Sequence, residues 1–292
     1  MAAGPLVREA SRDDAEAIAA MYQQTWPLHW ETPECVRRQF DKLDPIGGTV
    51  LIAVEQARVI GHCEFIPTRE PEPRGFWGFL EALEVHRDFR RRGIGTALVR
   101  EAIRRCAALG CTRFGSSPDD ERSEGLYLTC GMSRVERSVC TTFAVVGDLP
   151  EPLADAVLPL PPAARPWEGL LHVLGRFSCL PYLWSVTFNR KARGEPGYES
   201  AFAERLRWGG QDAAVFFTGS WLHVLVPPDR REDAELIRRA VAYGAGRIQA
   251  LGRDSFSTLL PLPLADDVRA VRGIYPSESH FHFHMWMPLK EG

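Results

Sequence analysis

The order of predicted elements places this chain in the α/β class. Apolar residues recur with helical spacing in some segments, other segments are short and β-rich, and the two kinds alternate over roughly the first 145 residues. The second half repeats part of the same succession. We therefore expect two α/β units, of which the second is a degenerate copy of the first.

The first unit is predicted to open with a strand and two helices. A strand candidate covers 6–10, and Ser11 followed by Asp14 is a helix-start signature. Pro33 opens a second helix that runs to about Leu43. The elements expected after it are strands at 49–55 and 59–67, a Pro-rich loop at 70–75, a strand at 76–86, a helix from 94 to about 110, a strand at 114–116, a helix at 123–130 and extended segments at 132–146.

A proline-rich stretch separates the two halves of the chain. Proline recurs at positions 150, 152, 159, 161, 162 and 166. Because proline removes a backbone donor and disfavours a helix, this stretch predicts an extended linker. We therefore divide the chain into a catalytic unit at 1–148, a linker at 149–166 and a second unit at 167–292.

The second half follows the first in outline. Val226 and the residues after it stand before a predicted helix much as Val85 stands before its own. Glu232 and Asp233 occupy the place where the first half has glycines, so the copy is degenerate. The elements expected here, after an ambiguous apolar stretch at 167–188, are a helical run at 198–208, a hairpin of strands at 213–218 and 221–226, a helix at 232–243, a strand at 256–264, a helix at 265–273 and a final strand at 280–287.

Composition and charge exclude several classes of protein. Of the 292 residues 45% are apolar and 25% are charged, which is typical of a globular protein and not of a disordered chain. The formal net charge is -3, so no global positive field favours nucleic acid. No signal-peptide pattern is present, and no segment reaches the roughly 18 apolar residues that span a bilayer. We expect a cytoplasmic protein that binds neither nucleic acid nor membrane.

Cysteine and histidine spacing does not indicate a metal site. The seven cysteines are odd in number and lack a CxxC spacing, which argues against a disulfide framework and a zinc module. His280, His282 and His284 alternate, so a strand would place all three on one face. With no acidic ligand at matching spacing, we interpret them as a polar sheet face and expect no metal.

The strongest chemical signal is a strand that leads into a helix through a basic, glycine-containing loop. Residues 79–86 read Phe-Leu-Glu-Ala-Leu-Glu-Val-His, and residues 90–95 read Arg-Arg-Arg-Gly-Ile-Gly. The glycines permit close approach of the backbone, and the unpaired amides at a helix N-terminus attract phosphate. The arginines add charge-assisted hydrogen bonds. The pattern predicts a pyrophosphate-binding loop.

The pattern Arg90-x-x-Gly93-x-Gly95, directly after a Glu-containing strand, resembles motif A of the GNAT N-acetyltransferases. A second segment, at 125–132 with Tyr127 at its centre, resembles the family's Ala-x-x-Leu-Tyr-x-x-x-Gly-Phe segment. The resemblance covers residues 1 to about 146. It implies a GNAT-like mixed, mostly antiparallel sheet with helices on both faces, and an enzyme that transfers acetyl from acetyl-CoA (acetyl-coenzyme A) to an amine.

The resemblance also implies roles for the residues of both motifs. Backbone groups of Leu83, Glu84 and Val85 would bind the pantetheine arm of coenzyme A like an added strand. Tyr127 would protonate the departing thiolate of coenzyme A, and a structural tyrosine packed under the sheet is the alternative. The remaining cofactor contacts that the resemblance implies are the loop and helix-start residues Arg90, Arg91, Arg92, Gly93, Ile94, Gly95 and Thr96.

The attacking amine needs a general base. An alkylamine must lose a proton before it attacks, since its pKa is near that of lysine, about 10.4. Glu81 and Glu84 are the candidate carboxylates on the strand, and regular alternation puts them on opposite faces. By family position Glu81 is the better match for the base, and Glu84 is expected to pair with an arginine or to face solvent. Another residue or a chain of water molecules is the alternative base.

One loop is predicted to border the acceptor pocket, and one segment elsewhere departs from the family pattern. Trp26, His29 and Trp30 fall where family members place a loop that borders the acceptor, so they are candidate substrate contacts. Aromatic packing that pins the loop is the alternative. The family often has an asparagine shortly before the helix that carries Tyr127, and the segment 117–120 (Ser-Pro-Asp-Asp) replaces it here.

These expectations combine into one function. We expect direct transfer of an acetyl group from acetyl-CoA to a primary amine, with a small molecule as the favoured acceptor, by a monomer or homodimer. A protein lysine or N-terminal acetyltransferase and a non-catalytic acyl-CoA sensor are the alternatives. The second unit would wall the acceptor pocket or mediate dimerisation.

Overall fold

The computed structural model contains two compact units within one chain. Unit 1 comprises Met1–Glu70, Arg74–Val135 and His284–Gly292, and unit 2 comprises Pro71–Pro73 and Glu136–Phe283. The residues that the structure describes are 5–24, 32–71, 74–118, 120–147, 149, 155–159, 169–173, 184, 187–188, 190–194 and 198–289.

Unit 1 begins with a strand and two helices, as the sequence predicts. Strand β1 covers Leu6–Glu9, helix α1 covers Ala15–Tyr22 and helix α2 covers Pro33–Leu43. Ser11 and Asp14 form a capping box at the short 3-10 turn that leads into α1. The other elements that begin in unit 1 are β2 (Thr49–Glu55), β3 (Arg58–Pro71), β4 (Arg74–Val85), α3 (Ile94–Ala108), β5 (Arg113–Ser116), α4 (Glu121–Thr129) and β6 (Ser133–Val145).

Unit 1 is built on a mixed, mostly antiparallel sheet, which confirms the predicted fold class. Its strand order is β1-β2-β3-β4-β5. Strand β2 is antiparallel to both β1 and β3. Strands β4 and β5 are parallel, and their ladder extends from the pair Trp77 and Arg113 to the pair Leu80 and Ser116.

Helices lie on both faces of this sheet. Gly61 and Cys63 of β3 pack against α3. On the opposite face, His62 of the same strand forms a hydrogen bond with Tyr22 of α1, and Glu64 accepts one from Gln39 of α2. This is the two-residue alternation expected of a strand with a helix layer on each side.

Unit 2 repeats the succession of unit 1. Residues 213, 215 and 217 of its strand β10 (Gln211–Phe217) join the core that includes helix α5 (Ala234–Ala250), and residues 214 and 216 join a smaller cluster on the other face. The strand order is β7-β9-β10-β11-β8. The elements in chain order are β7 (Ala156–Pro159), β8 (Leu171–His172), β9 (Phe202–Trp208), β10 (Gln211–Phe217), β11 (Leu222–Val226), α5 (Ala234–Ala250), β12 (Ser255–Pro261), α6 (Leu262–Arg269) and β13 (Ile274–Pro288).

The order of elements confirms the duplication. Strands β7, β9, β10 and β11 are adjacent and antiparallel along the sheet, as their counterparts β1 to β4 are adjacent in theirs. Helix α5, strand β12, helix α6 and strand β13 then follow in the order of α3, β5, α4 and β6. The second half is therefore a copy of the first in topology.

Two long strands belong to both units. Strand β6 begins in unit 1 and continues in unit 2, where it pairs with β12. Strand β13 begins in unit 2 and ends in unit 1, where residues 285–288 pair with β5. The boundaries of the compact units therefore fall within these two strands. Strand β7 lies inside the stretch 149–166, which the sequence predicts as a linker.

Strand β9 replaces a predicted helix. The sequence predicts a helical run at 198–208, but Phe202–Trp208 form a strand. Every residue of β9 opposes a residue of β10 in one antiparallel register. Asp212 of β10 pairs with both Arg205 and Arg207 of β9. Cross-strand pairing outweighs the helical spacing of the apolar residues.

Two strand ends also differ from the prediction. The loop expected at 70–75 is shorter, since β3 and β4 extend into it. The strand expected at 256–264 ends at Pro261, and helix α6 follows at once with Pro263 in its first turn. Proline suits the start of a helix because its φ is fixed near about -65°, and it lacks the donor that a strand needs.

Gly78 allows β4 to pack closely against α3. An added Cβ at Gly78 would lie 2.3 Å from Cys106 Sγ and 2.8 Å from the Phe114 ring. Because this part of the core would have to shift, we expect Gly78→Ala to lower the free energy of unfolding by about 1–3 kcal/mol. Chemical denaturation measures the change.

The control for this prediction is Gly125→Ala in helix α4, where an added Cβ would have no atom within 4 Å. Alanine is favoured over glycine inside a helix by about 0.5–1 kcal/mol, so this variant should be slightly more stable than the wild type. Similar destabilisation in both variants would contradict the packing explanation.

Candidate active site

His86 follows β4 and anchors the loop before α3. Its side chain is 1% exposed, and Nδ1 accepts a hydrogen bond from the amide of Asp88 at 3.2 Å. Its Nε2 lies 2.6 Å from Gln24 Oε1 and 2.7 Å from a guanidinium nitrogen of Arg58. Burial, together with the positive charge of Arg58, lowers the pKa of His86. The neutral ring therefore connects the loop to the end of α1 and the start of β3.

Two of the three arginines in this loop form ion pairs within unit 1. Arg90 pairs with Glu84 at 2.9 Å, and Arg92 pairs with Glu55 at 2.7 Å. Arg91 is exposed and forms no ion pair with any residue that the structure describes. Arg91 is therefore the arginine whose charge is available to an anion.

The start of α3 presents amides that lack acceptors. Arg91 has a φ of 63°, and Gly93, the N-cap of α3, has a φ of 78°. The first hydrogen bond of the helix runs from the amide of Ala97 to the carbonyl of Gly93 at 3.0 Å. The amides of residues 91–96 donate to no backbone carbonyl in the described part of the chain. This row of donors, at the positive end of the helix, fits a pyrophosphate group.

Gly95 lets helix α4 approach the start of α3. An added Cβ at Gly95 would lie 2.7 Å from Leu126 Cδ1, 3.7 Å from Val85 and 3.9 Å from Leu83. The two glycines of the motif therefore have different roles. Gly93 supplies a left-handed turn, and Gly95 allows β4, α3 and α4 to meet.

Strand β4 continues after its ladder with β5 has ended. The last pair of the ladder is Leu80 with Ser116, and β5 itself ends at Ser116. Residues 81–85, which we call the β4 edge, have β3 on one side and no residue of β5 on the other. An extended ligand can bind such an edge by strand addition. The pantetheine arm of coenzyme A fits it.

The set of β4 residues that face α3 changes along the strand. An added Cβ at Gly78 points toward α3, whereas Leu83 and Val85 are the residues beside the start of α3 farther along the strand. The residues of β4 that face α3 therefore change from even to odd numbers along the strand. Glu84 then lies on the face away from α3.

The two candidate base residues differ in exposure. The Glu81 side chain is exposed. The Glu84 side chain is 16% exposed, and its Oε1 accepts hydrogen bonds from Arg90 at 2.9 Å and from the amide of Val85 at 3.0 Å. Glu84 therefore holds the loop in place, and Glu81 is the more exposed of the two carboxylates.

Tyr127 is buried on helix α4, close to the cofactor loop. The helix begins two residues earlier than the sequence predicts, because Asp120 caps it by accepting hydrogen bonds from the amides of Arg122 and Ser123. Asp120 belongs to the segment that replaces the family's asparagine, so that segment has a structural role. Tyr127 is 5% exposed, and its neighbour Leu126 contacts the start of α3.

The sequence motifs do not predict a buried polar network on the face of β3 away from α3. His62 and Glu64 are 0% exposed. Tyr22 Oη lies 2.9 Å from His62 Nδ1, and Gln39 Nε2 donates to Glu64 at 2.8 Å. Burial, with the charges of Glu64 and Glu84, raises the pKa of Tyr22. The signal in the sequence is a histidine and a glutamate two residues apart in an apolar strand, which places both on one face.

The candidate acceptor contacts Trp26, His29 and Trp30 lie outside the described residues. The last residue described before them, Gln24, contacts His86. Among the described residues, no group of three or more His, Cys, Asp or Glu side chains is arranged to hold a metal ion. No helix in this part of the chain is long and apolar enough to cross a membrane.

The corresponding helix start in unit 2 carries an acidic cap. Asp233 is the N-cap of α5, and its carboxylate accepts a hydrogen bond from the amide of Leu236 at 3.0 Å. Because this carboxylate occupies a helix-start amide and adds negative charge, the position does not fit a phosphate. Within the described chain, the phosphate-binding geometry is found before α3 and not before α5.

The fold and the loop before α3 define a GNAT-type acetyltransferase unit. Residues 15–132 match the Acetyltransferase (GNAT) family. Residues 15–132 are therefore a GNAT domain, and the chain is an acetyl-CoA-dependent N-acetyltransferase with a second domain. A curated relative, aminoglycoside N(6')-acetyltransferase type 1 of Klebsiella aerogenes, is 29% identical over 151 residues, which are 48% of this chain and 97% of the relative.

Solved structures are similar to the whole chain. A putative acetyltransferase from Pyrococcus horikoshii aligns with a TM-score of 0.60 and 16% identity, covering 98% of this chain and 90% of that chain. A GCN5-related N-acetyltransferase from Kribbella flavida aligns with a TM-score of 0.61 and 16% identity, covering 98% and 72%. A tandem GNAT protein from the clavulanic acid biosynthesis pathway aligns with a TM-score of 0.53 and 14% identity, covering 97% and 98%. These similarities show the fold, including its duplication.

Arg91 should contribute to the binding of coenzyme A, because its guanidinium group is available beside the amides of the loop. A hydrogen bond to a charged group contributes about 1.5–3 kcal/mol, so we expect Arg91→Ala to weaken coenzyme A binding by at least about 10-fold. Isothermal titration calorimetry at two salt concentrations measures the effect, and the loss should be smaller at high salt.

The control is Arg104→Ala, which removes an exposed arginine near the other end of α3 that pairs with Glu101. This variant should bind coenzyme A as the wild type does. An unchanged dissociation constant in Arg91→Ala would show that Arg91 does not contact the anion.

Proposed function

We propose that this protein acetylates the primary amine of a small molecule. The observation that supports the cofactor site is the combination of acceptor-free amides at residues 91–96 with the unpaired β4 edge. An anionic group and an extended polar arm are the two parts of coenzyme A that such a surface binds. The name of the curated relative specifies an aminoglycoside, which favours a small-molecule acceptor over a protein.

Acetyl-CoA supplies the acetyl group as a thioester when it is bound. The amides of residues 91–96 and the Arg91 guanidinium would hold the pyrophosphate, and the backbone of the β4 edge would hold the pantetheine arm. Arg90 and Arg92 would act indirectly, because their ion pairs with Glu84 and Glu55 stabilise the loop.

We propose Glu81 as the general base for the acceptor amine. Glu81 stands at the beginning of the β4 edge and its side chain is exposed, whereas Glu84 is held by Arg90. An alkylamine is protonated at neutral pH because its pKa is about 10.4. A carboxylate can take the proton directly or through a water molecule.

Tyr127 is the proposed proton donor to the departing thiolate. A phenol with a pKa of about 10 is protonated at neutral pH, and a thiolate whose conjugate acid has a pKa of about 8.5 leaves more readily when a donor is near. The burial of Tyr127 on α4, beside the start of α3, supports this role.

Turnover with a panel of amines tests the proposed function. The panel contains an aminoglycoside, a diamine, a free amino acid and a lysine-containing peptide, and the released thiol is measured spectroscopically. We expect turnover with a small-molecule amine and little with the peptide. Turnover of the peptide without the others would contradict a small-molecule acceptor, and binding of coenzyme A without any turnover would contradict catalysis.

Replacement of Glu81 tests its role as base. We expect Glu81→Gln to lower kcat at neutral pH by about 10²–10⁴-fold, the range for a lost general base. The defect should become smaller as the pH rises toward the pKa of the amine, because the amine then loses its proton to solvent. The measurement is the pH profile of kcat for the most active amine of the panel.

Glu84→Gln is the comparison variant. Because Glu84 pairs with Arg90 in the cofactor loop, we expect this change to raise the KM for acetyl-CoA without the pH-dependent loss of kcat. If Glu84→Gln showed the pH-dependent defect and Glu81→Gln did not, the two assignments would have to be exchanged.

A further inference from the structure

A hydrogen-bonded serine and histidine lie where β4 and β5 part. The Oγ atom of Ser117 is 3.1 Å from His284 Nδ1, and His284 is 3% exposed. Ser117 directly follows β5, and His284 belongs to β13. Both residues are part of unit 1. We call these two side chains the Ser–His pair.

The strand register places Ser117 beside the β4 edge. Leu80 and Ser116 are the last partners in the parallel ladder, and Ser116 Oγ donates to the Leu80 carbonyl at 3.3 Å. Glu81 and Ser117 are the next residues on the two strands. Because neighbouring strands lie about 4.8 Å apart, these two residues stand on opposite sides of the gap that begins there. We call this gap the opening.

Both side chains of the Ser–His pair lie on the face of the sheet away from α3. Met285 of β13 and Phe114 of β5 belong to the core cluster that includes α3. His284 is the neighbour of Met285, so strand alternation places it on the opposite face. The hydrogen bond shows that Ser117 lies on the same face as His284.

The proposed cofactor site brings the thioester to the opening. The pyrophosphate would lie at the amides of residues 91–96, and the pantetheine arm would extend from there along the β4 edge toward Glu81. The thioester at the end of this arm then reaches the opening. Helices α3 and α4 meet on one face beside the β4 edge, at Gly95 and Leu126. We therefore place the acceptor amine on the other face, which is that of the Ser–His pair.

A primary amine retains one of its protons through the reaction. It enters as an ammonium with three N–H bonds, and it leaves as an amide with one. Glu81 and the thiol of the released coenzyme A take the two protons that are lost, and the lone pair of the nitrogen forms the new C–N bond. The third proton stays on nitrogen. Its N–H group needs an acceptor that does not remove the proton.

We propose that the Ser117 hydroxyl accepts a hydrogen bond from the N–H group that the acceptor retains, and that His284 orients the hydroxyl for this contact. A hydroxyl has one proton. Ser117 donates it to His284 Nδ1, so the oxygen presents its lone pairs to the opening. Neither residue gains or loses a proton in the reaction. This inference rests on the proposed function and adds a specificity residue to it.

Such a contact selects primary amines. A secondary amine loses both protons of its ammonium form and an alcohol loses its only one, so neither retains a donor for Ser117. The secondary amine would instead place an alkyl group against the hydroxyl. A polar group that is left without its donor disfavours such a substrate. The Ser–His pair therefore explains a preference for a primary amine.

A pair that only joined β13 to β5 would affect stability and not selectivity. The ladder between these strands already holds them through four residue pairs, the last of which is Met285 with Ser116. The Ser–His contact lies beyond this ladder, and Ser117 is partly exposed. The hydroxyl can therefore meet a ligand as well as His284.

The proposal requires His284 Nδ1 to be an acceptor in the protein without cofactor or substrate. Nitrogen-15 NMR of histidine-labelled protein measures this, with the His284 signals identified by their absence in His284→Asn. We expect a proton on Nε2 and none on Nδ1, and a shift of the Nδ1 signal in Ser117→Ala. A proton on Nδ1 would overturn the proposal, because the hydroxyl would then direct its own proton into the opening.

Kinetics with two matched substrates test the selectivity. The substrates are the most active primary amine of the panel and its N-methyl derivative, and the ratio of their kcat/KM values measures the preference. We expect Ser117→Ala to lower the wild-type preference by about 3- to 10-fold, the effect of one lost hydrogen bond. The control is Ser257→Ala, which removes a hydroxyl that lies 2.9 Å from Thr142 Oγ1 in unit 2 and should keep the wild-type ratio. Thermal unfolding verifies that each variant is folded.

Variants of His284 separate hydrogen bonding from space, since Ser117→Ala also makes room for a methyl group. His284→Leu keeps Ser117 but removes the acceptor of its proton, so we expect a similar loss of preference. His284→Asn should recover most of the preference, because the amide oxygen can take the place of Nδ1.

An unchanged preference in Ser117→Ala or in His284→Leu would overturn the proposal. Equal losses in His284→Asn and His284→Leu would overturn the orienting role of His284. Weaker binding of coenzyme A in Ser117→Ala would also overturn the proposal, because Ser117 would then contact the cofactor. Absence of turnover with every amine would contradict the proposed function instead, and the His284 tautomer would still test the Ser–His pair.

Discussion

The candidate site depends on one constraint, the parting of β4 from β5 after Leu80. Up to that residue the two parallel strands satisfy each other's backbone groups, and Gly78 lets α3 pack tightly behind them. Beyond it β5 ends, and α3 begins beside Leu83 and Val85 with amides that lack acceptors. A sheet edge and a helix N-terminus therefore come together. Because both carry backbone groups that need partners, water or a ligand has to supply them, and the position suits a binding site rather than the core.

Unit 2 shows that the same architecture can exist without this site. Its elements follow the order of unit 1. In the described residues, an isolated parallel bridge joins Trp221, the residue before β11, to Ser257 of β12. The helix after β11 is capped by Asp233, whose carboxylate takes an amide that a phosphate would need. The fold is therefore present in both units, whereas the binding geometry is present in unit 1. This agrees with the general rule that function belongs to sites placed on folds, and not to the folds themselves.

Local signals in the sequence predict a large part of this molecule. The strand at 49–55, the helix that starts at Ile94 and the loop at 90–95 carry their own alternation, caps and glycines, and each lies where the sequence predicts it. The change of face in β4 and the network around His62 depend on contacts between elements that are far apart in the chain, so spacing rules do not encode them. The strand at 202–208 has the spacing of a helix, and the neighbouring strand β10 determines its conformation.

Because of the two long strands, the acetyltransferase unit includes residues that lie beyond the family match. The family match ends at residue 132, yet without the end of β13 the site-bordering strand β5 would be an edge of the sheet. Met285 of β13 is fully buried in the same core cluster as α3, and Met287 packs beside Gly131 after α4. The Oγ atom of Ser117, which follows β5, lies 3.1 Å from His284 Nδ1. Because these contacts support the strands and helices that position the cofactor loop, the second half of the chain contributes its C-terminal strand to the fold of the first.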